Sequence, residues 1–394
     1  MSATAPPLDV AQIRAQFPAL VPGRIHLDNP GGTQVHASVI RAIEDYYQHA
    51  NANLGGAFAT SRASESVLAD ARADLARLLG ADPGEIVFGA NMTTLTFHVS
   101  RALTRDLGPG DEILLTRVDH DGNVSPWVLA AQDRGVTVRF ADVDPQTCTI
   151  DVDDFASKLD DRTRVAAFNW ASNGAGTISD VERLVALSRE AGALSYIDAV
   201  QFAPHGGVDM HALGCDFLVC SAYKFFGPHV GVLAGRAELL EEIKPYKVRP
   251  AHDEPPGSWE TGTVNLEGIA GTAAAARYIT GLGAEAIAAY ERTLTARLID
   301  GLDAIAGVTQ YGTRDLDRRV PTIVFTVEGK RPDQVAAALG EREIFVWDGN
   351  YYAIELMEAL GLEGNGGAVR VGAVHYNTFE EIDAFLEAVA DCAR

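Results

Sequence analysis

Positive charge is scarce in this sequence. Of 394 residues, 32 are Lys or Arg against 54 Asp or Glu, a formal net charge of −22. A nucleic-acid partner requires a basic footprint, and an anionic membrane surface requires a polybasic segment, so neither is expected. No apolar run approaches the roughly 20 residues that span a bilayer. The first residues, MSATAPPLDV, have neither a basic start nor an apolar stretch, so no secretion signal is expected. Cysteine is rare: Cys148, Cys215, Cys220 and Cys392 form no CxxC pair and no metal-ligand spacing. They read as small core residues of a cytoplasmic protein in a reducing setting, and no metal site is expected. No GxGxxG follows a first strand, which removes the usual signature of a dinucleotide-binding dehydrogenase. Internal repeats and low-complexity segments are also missing.

What is present is an alternation of apolar strand-like runs with amphipathic helical stretches. EIVFGA, DEILLTRVDH, TVRFADVD, RVAAFNWAS, ALSYIDAV and FLVCS read as strands, most of them followed by helical segments such as TTLTFHVSRALTRDL and DVERLVALSREAG. Repeated βα units predict an α/β fold with a mostly parallel sheet and helices on both faces. From about residue 265 the texture changes to two long helices and then a small α+β unit ending on the helix FEEIDAFLEAVADCAR. The expected division is an N-terminal segment (1–24), a large domain (25–264) and a small C-terminal domain (265–394). The Pro- and Gly-rich stretch 248–265 is expected to be a hinge or lid.

In an open parallel sheet, ligands bind beyond the carboxyl ends of the strands. The polar residues expected there are Asn91 and Met92 at a helix start, His120, Asn173, Asp198, Gln201, Ser221, Tyr223 and Lys224. Lys224 stands out because Tyr223, Phe225 and Phe226 beside it are not the company of a solvated turn lysine. Each residue type has a task in one chemistry. A lysine amine forms a Schiff base with an aldehyde, and an aspartate pairs with a pyridinium nitrogen. A helix N-terminus offers amides to a phosphate, and an imidazole stacks on an aromatic ring. Together these are the requirements of pyridoxal 5′-phosphate.

The stretch YIDAVQFAPHGGVDMHALGCDFLVCSAYKFFGPHVGVL, with Asp-x-x-Gln followed by Ser-x-x-Lys-x-x-Gly-Pro, resembles the class V aminotransferase superfamily, and within it the cysteine desulfurase and selenocysteine lyase group. The resemblance runs from IHLDNPGG to VRVGAVHYNT. It implies a large domain with a seven-stranded sheet, and a homodimer with active sites at its interface. It implies that Lys224 links the cofactor, Asp198 holds the ring nitrogen, Gln201 the ring hydroxyl, and His120 stacks on the ring. Asn173 would lie near the ring hydroxyl and the substrate. The amides around Asn91 and Met92, with Ser221 and Tyr223, would hold the phosphate. Thr263 in ETGTVN would reach the phosphate of the partner subunit, and Arg370 would clamp the substrate carboxylate in a bidentate pair.

Departures from that pattern shape the expected reaction. Desulfurases of the group have a histidine before the lysine, where this chain has Tyr223. They also carry a mobile cysteine before the C-terminal arginine strand, where this chain has IFVWDGNYYAIELMEALGLEGNGG. Trp347, Asp348, Asn350, Tyr351 and Tyr352 suggest aromatic walls instead. The expectation is a pyridoxal-phosphate enzyme acting on a small α-amino acid, a lyase working by β-elimination or C–S cleavage without a catalytic cysteine. The alternatives are an aminotransferase, a racemase or epimerase, and a non-catalytic cofactor-binding regulator.

Overall fold

The computed structural model describes residues 8–394. The central sheet has seven strands: β1 (Ile86–Gly89), β2 (Glu112–Thr116), β3 (Thr137–Ala141), β4 (Thr163–Asn169), β5 (Leu194–Asp198), β6 (Phe217–Ser221) and β7 (Gly231–Gly235). Their order is β1-β7-β6-β5-β4-β2-β3. Every pairing is parallel except those of β7, which runs antiparallel to both of its neighbours. Side chains alternate between two cores, one on each face. Leu218 and Cys220 of β6 enter one core, while Phe217 and Val219 enter the other. Burial on both faces is why these strands read as continuous apolar runs.

Helix ends follow local rules. Asn91 caps the helix α1 (Met92–Leu103), its Oδ1 accepting the Thr94 N–H at 2.9 Å. Asp180 caps Val181–Glu190 in the same manner, and Gly135 ends Ser125–Arg134 in the left-handed conformation. One expected strand is interrupted. TVRFADVD pairs in the main sheet only through Ala141, and Val143–Asp144 forms a separate hairpin with Thr149–Ile150. Cys148 sits within that hairpin in the left-handed conformation, with φ 53°.

The smaller sheet has four strands: β8 (Val308–Tyr311), β9 (Thr322–Val327), β10 (Trp347–Gly349) and β11 (Ala368–Gly372), all antiparallel, in the order β8-β9-β11-β10. Ile25–His26 pairs with Ile344–Phe345 beside it. The boundary expected at residue 264/265 is not where the packing changes. The helix Leu266–Leu282 lies on the helices Ala37–His49 and Ala59–Leu79, and its Ile269, Ala273 and Ile279 join the core of the large sheet. Leu356, Met357 and Tyr376, which follow β10 in sequence, enter that same core. The segment before residue 25 is also tied in, with Phe17 buried edge-on against His36, Phe226, Tyr278 and Tyr376.

The stretch expected to be a hinge is anchored at its far end. Ser258, Trp259 and Glu260 are buried. Both oxygens of the Glu260 carboxylate accept from Arg72 Nη2, at 2.9 and 2.8 Å, and Oε1 also accepts the Phe88 N–H of β1 at 2.9 Å. Removing one partner from such a buried pair leaves the other charge uncompensated. Glu260→Ala is therefore expected to destabilise the fold by about 3–5 kcal/mol, read as a fall in thermal and urea midpoints. A variant with unchanged midpoints would mean that the Arg72–Glu260 pair does not anchor this segment.

Candidate active site

Lys224 lies in a single turn of 3-10 helix (Ala222–Lys224) directly after β6. Phe225 and Phe226 beyond it are fully buried, which fixes the lysine at the sheet edge rather than in solvent. Its Nζ donates to the Pro30 carbonyl, which also accepts Gln201 Nε2 at 2.8 Å. The Tyr223 ring lies beneath, its centroid 4.9 Å from the ammonium. Burial first, and Arg370 second, push the Lys224 pKa down to about 7, against the opposing pull of Asp198. A large share of these side chains is therefore neutral amine at neutral pH, the form that reacts with an aldehyde.

Asp198 ends β5 and accepts the Val200 N–H at 2.9 Å. Burial raises its pKa to about 6, although that hydrogen bond and Lys224 favour the anion. A second buried carboxylate, Asp119, escaped the sequence reading. It accepts the Thr116 hydroxyl and Asn123 Nδ2, the latter at 2.8 Å, and Asn123 Oδ1 in turn accepts Trp127 Nε1 at 3.2 Å. Burial is the main cause, and Asp198 a lesser one, of a pKa pushed up to about 8. The only available signal was its place beside His120, three residues after Thr116. That network frames the turn carrying His120, whose Nδ1 accepts the Gly122 N–H at 2.8 Å. Burial, then Lys224 and Arg370, hold the His120 pKa down to about 4, so its ring is neutral and protonated at Nε2.

The N-terminus of α1 faces the same space. Ser221 Oγ accepts the Met92 N–H at 2.9 Å and retains its own hydrogen to donate. A side chain at Gly231 would collide with the Asn91 backbone, so the start of β7 and the start of α1 approach more closely than any other residue permits. On the opposite wall, β11 presents Arg370, buried, with Nη1 donating to the Asn173 carbonyl at 2.8 Å and the guanidinium 4.3 Å from the Tyr351 ring centroid. Arg370 Nε, Asn173 Oδ1 and Asn169 Nδ2 are buried without partners.

These walls enclose a cavity of about 1120 Å³. Asn91, Met92, His120, Asn173, Asp198, Gln201, Ser221, Tyr223, Lys224 and Arg370 all line it, as do Trp347, Asp348, Asn350, Tyr351 and Tyr352. Thr263 does not; it is exposed, outside the cavity. His229, whose ring stacks on Tyr223 at 4.9 Å, and Gly31 also line the cavity and were not anticipated. None of the four cysteines lines it, and burial pushes the thiols of Cys148 and Cys215 up to about 12. Orphaned buried donors and acceptors, a helix N-terminus with a hydroxyl beside it, and a half-neutral lysine near a carboxylate fit pyridoxal phosphate together with an α-amino acid.

The comparisons with known proteins agree. The Aminotransferase class-V pattern matches residues 25–385. The chain belongs to the class-V aminotransferase family. Members of this family are pyridoxal-phosphate enzymes. A probable cysteine desulfurase of Mycolicibacterium paratuberculosis is 35% identical over 97% of the chain, and a cysteine desulfurase of Synechococcus elongatus is 32% identical over 98%. The alignments cover 58% and 64% of those two relatives, so the chain spans less than two thirds of their length. An aminotransferase-like protein of Gibberella zeae is 33% identical over 96% of this chain and 97% of its own. Among solved structures, the apo cysteine desulfurase of Thermococcus onnurineus superposes with a TM-score of 0.93 at 30% identity, covering 99% of both chains.

The Lys224 environment has a measurable consequence in the cofactor-free protein. The amine has its ordinary pKa of 10.5 when unfolded and about 7 when folded. Between these values the unfolded chain binds the extra proton, so stability rises with pH across this window and the cost of burying the cation is greatest below it. Lys224→Met should flatten that rise in the thermal midpoint. Equal slopes for the two proteins would show that the lysine is an ordinary cation in the folded state.

Proposed function

We propose that this chain is a pyridoxal-phosphate lyase that breaks a bond at Cβ of an α-amino acid by β-elimination, C–S cleavage included, without an enzyme thiol. The observation that carries the reading is the convergence of Asp198 and Lys224, at two strand ends of the large sheet, and Arg370, within β11 of the small one, on one cavity that no cysteine lines. The bound cofactor supplies an electron sink for the pair of electrons released at Cα.

The chain's own residues supply the rest. Arg370 takes the substrate carboxylate on Nε and the free guanidinium hydrogens, with Asn173 Oδ1 beside it as an acceptor. Lys224, with its pKa near 7, takes the Cα proton and can return it. Asp198 holds the proton of the ring nitrogen. His120, kept neutral, covers the ring without adding a charge. Gln201 and Asn173 reach the ring hydroxyl. Ser221, Tyr223 and the N-terminus of α1 at Asn91 would take the phosphate, while the Met92 N–H is committed to Ser221 Oγ and orients that hydroxyl. Thr263, exposed on one chain, is positioned by this reading to reach the phosphate of a second copy in a homodimer. The four free thiols fit a reducing, cytoplasmic setting.

An aminotransferase is the second reading. Lys224 can deliver its proton to the cofactor side as readily as to Cα, and a relative named aminotransferase-like aligns over almost its whole length. Product analysis separates the two: elimination releases ammonia and a keto acid from one substrate, whereas transamination needs a second keto acid as acceptor.

Borohydride reduction of the loaded protein should fix the cofactor mass on the peptide carrying Lys224, and Lys224→Ala should abolish it. A label on any other lysine overturns the assignment. Arg370→Ala should weaken amino-acid binding by about 2–5 kcal/mol while leaving the cofactor spectrum without substrate nearly unchanged; retained affinity would place the clamp elsewhere. A folded variant with all four cysteines replaced should keep most of its turnover. Loss of activity together with a persulfide trapped on a cysteine of the parent would make the protein a thiol-dependent desulfurase.

A further inference from the structure

The wall of the cavity between Arg370 and the mouth is aromatic, and its construction bears on which amino acid enters. Trp347 on β10 stands directly opposite Arg370 on β11. Residues directly opposite on antiparallel strands project to the same face. The indole therefore shares a face with the group proposed to hold the carboxylate. It also lies over Gly31, where any side chain would collide with indole Nε1. Gly31 follows Pro30, the residue whose carbonyl receives Lys224. The indole thus lines the space next to both fixed ends of the substrate.

Beyond Trp347 the chain turns through Tyr351 and Tyr352 with φ 56° and 61°, a conformation rare for residues with a side chain. Three hydrogen bonds hold this turn in place. The Asp121 N–H donates to the Tyr352 carbonyl at 2.7 Å, Asn173 Nδ2 to the Tyr351 carbonyl at 2.8 Å, and the Tyr351 hydroxyl to the Ala368 carbonyl. The Tyr352 ring is aimed at His120, with centroids 5.4 Å apart. Despite this support, Trp347 is 50% exposed and Tyr352 67% exposed. Large apolar rings carried on a fixed backbone at a cavity wall, and open to water in the single chain, are surfaces for a ligand. Charge narrows the choice further. Among the described residues, Lys224 and Arg370 are the only Lys or Arg lining the cavity, and the proposed function commits both to the amine and carboxylate ends. An acidic substrate side chain would find no cation and would meet Asp121 and Asp348.

We propose that Trp347 and Tyr352 form a side-chain subsite that selects an α-amino acid with a neutral aromatic ring in its side chain, borne for elimination on a Cβ leaving atom such as sulfur, over one as small as cysteine or alanine. The proposal rests on the pyridoxal-phosphate reading above, and it names the substrate class of that same site. Ring faces and edges of an indole and a phenol pair with a third aromatic ring better than with a methyl or thiol group.

The test uses amino acids that bind but cannot lose a Cα proton. The cofactor-loaded protein is titrated with α-methylphenylalanine, 2-aminoisobutyrate, α-methylglutamate and α-methyllysine, by calorimetry and by the cofactor absorption band in parallel. α-Methylphenylalanine is expected to bind at least about tenfold tighter than 2-aminoisobutyrate. The ratio of the two Kd values should collapse in Trp347→Ala and return in part in Trp347→Phe. A ratio near unity in the parent, or tighter binding of the glutamate or lysine analogue, overturns the proposal while the shifted cofactor band upholds the reading beneath it. A parent preference that Trp347→Ala leaves intact, with only a change in oligomeric state, also overturns it, because the rings then serve as a contact between subunits. If no analogue binds or moves the cofactor band, both the proposal and the reading beneath it fall.

Discussion

Much of the site depends on one carbonyl oxygen. Pro30 O accepts hydrogen bonds from Lys224 and from Gln201, residues distant in sequence at two different strand ends. The turn that presents it is held from the other side. Asn29 Nδ2 donates to the His26 and Gly372 carbonyls at 3.0 and 2.8 Å, and Asn29 Oδ1 accepts the Tyr376 hydroxyl. Gly372 lies two residues after Arg370 on β11, and a side chain at Gly372 would collide with the Pro30 ring. A single turn therefore sets the distance between the lysine of the large sheet and the arginine of the small one.

The electrostatics of the site are costly without a ligand. Lys224 and Arg370 are buried cations, and Arg370 adds to the lowering of Lys224; Asp198 and Asp119 are buried carboxyls, and Asp198 adds to the raising of Asp119. Burial is the first cause in each case, as expected when charges leave water with incomplete pairing. The shifts bring Lys224, Asp198 and Asp119 toward the neutral range, where a small change of charge alters protonation. Under the proposed function, a pyridinium ring beside Asp198 and a carboxylate beside Arg370 would each supply a counter-charge where one is missing. Several strongly perturbed buried groups gathered in one cavity are the expected pattern for a functional cluster.

Much of this was legible in the sequence because the information is local. Strands buried on both faces read as unbroken apolar runs, and β5 and β6 end on the polar residues that the βα pattern places at one edge. Asp198, Gln201, Ser221 and Lys224 could be found from that edge alone. What was not legible depends on contacts between distant segments. Nothing near Pro30 indicates that its carbonyl meets Lys224, 194 residues away. Nothing in the alanine-rich helix Leu266–Leu282 shows that it packs on Ala37–His49, which is why the composition change at residue 265 did not mark a change in packing. Asp119 fell within DEILLTRVDH, read as a strand to residue 120; the strand ends at Thr116, and Asp119 is buried beyond it by contacts that its neighbours in sequence do not announce. The break in TVRFADVD follows from Val143–Asp144 finding Thr149–Ile150 as a partner outside the main sheet.

The same contrast between buried frame and open wall explains how this fold can change chemistry without losing its structure. Lys224, Asp198 and Arg370 are each buried, and each is fixed by hydrogen bonds to backbone from another part of the chain or from the adjoining turn. A substitution at any of them would disturb packing as well as reactivity. The segment Trp347–Tyr352 lies at the edge of the four-stranded sheet, where β10 has a partner on one side only. Its contacts to the rest of the site run mostly through backbone carbonyls, at Tyr351 and Tyr352, which do not depend on side-chain identity. Aromatic rings, a thiol or a polar group could occupy those positions over an unchanged backbone. Function in such a fold resides in the site carried by the scaffold rather than in the scaffold itself. Here Lys224, Asp198 and Arg370 are set by buried contacts, whereas the edge segment Trp347–Tyr352 is held mainly through its backbone and leaves the Trp347 and Tyr352 side chains free to vary.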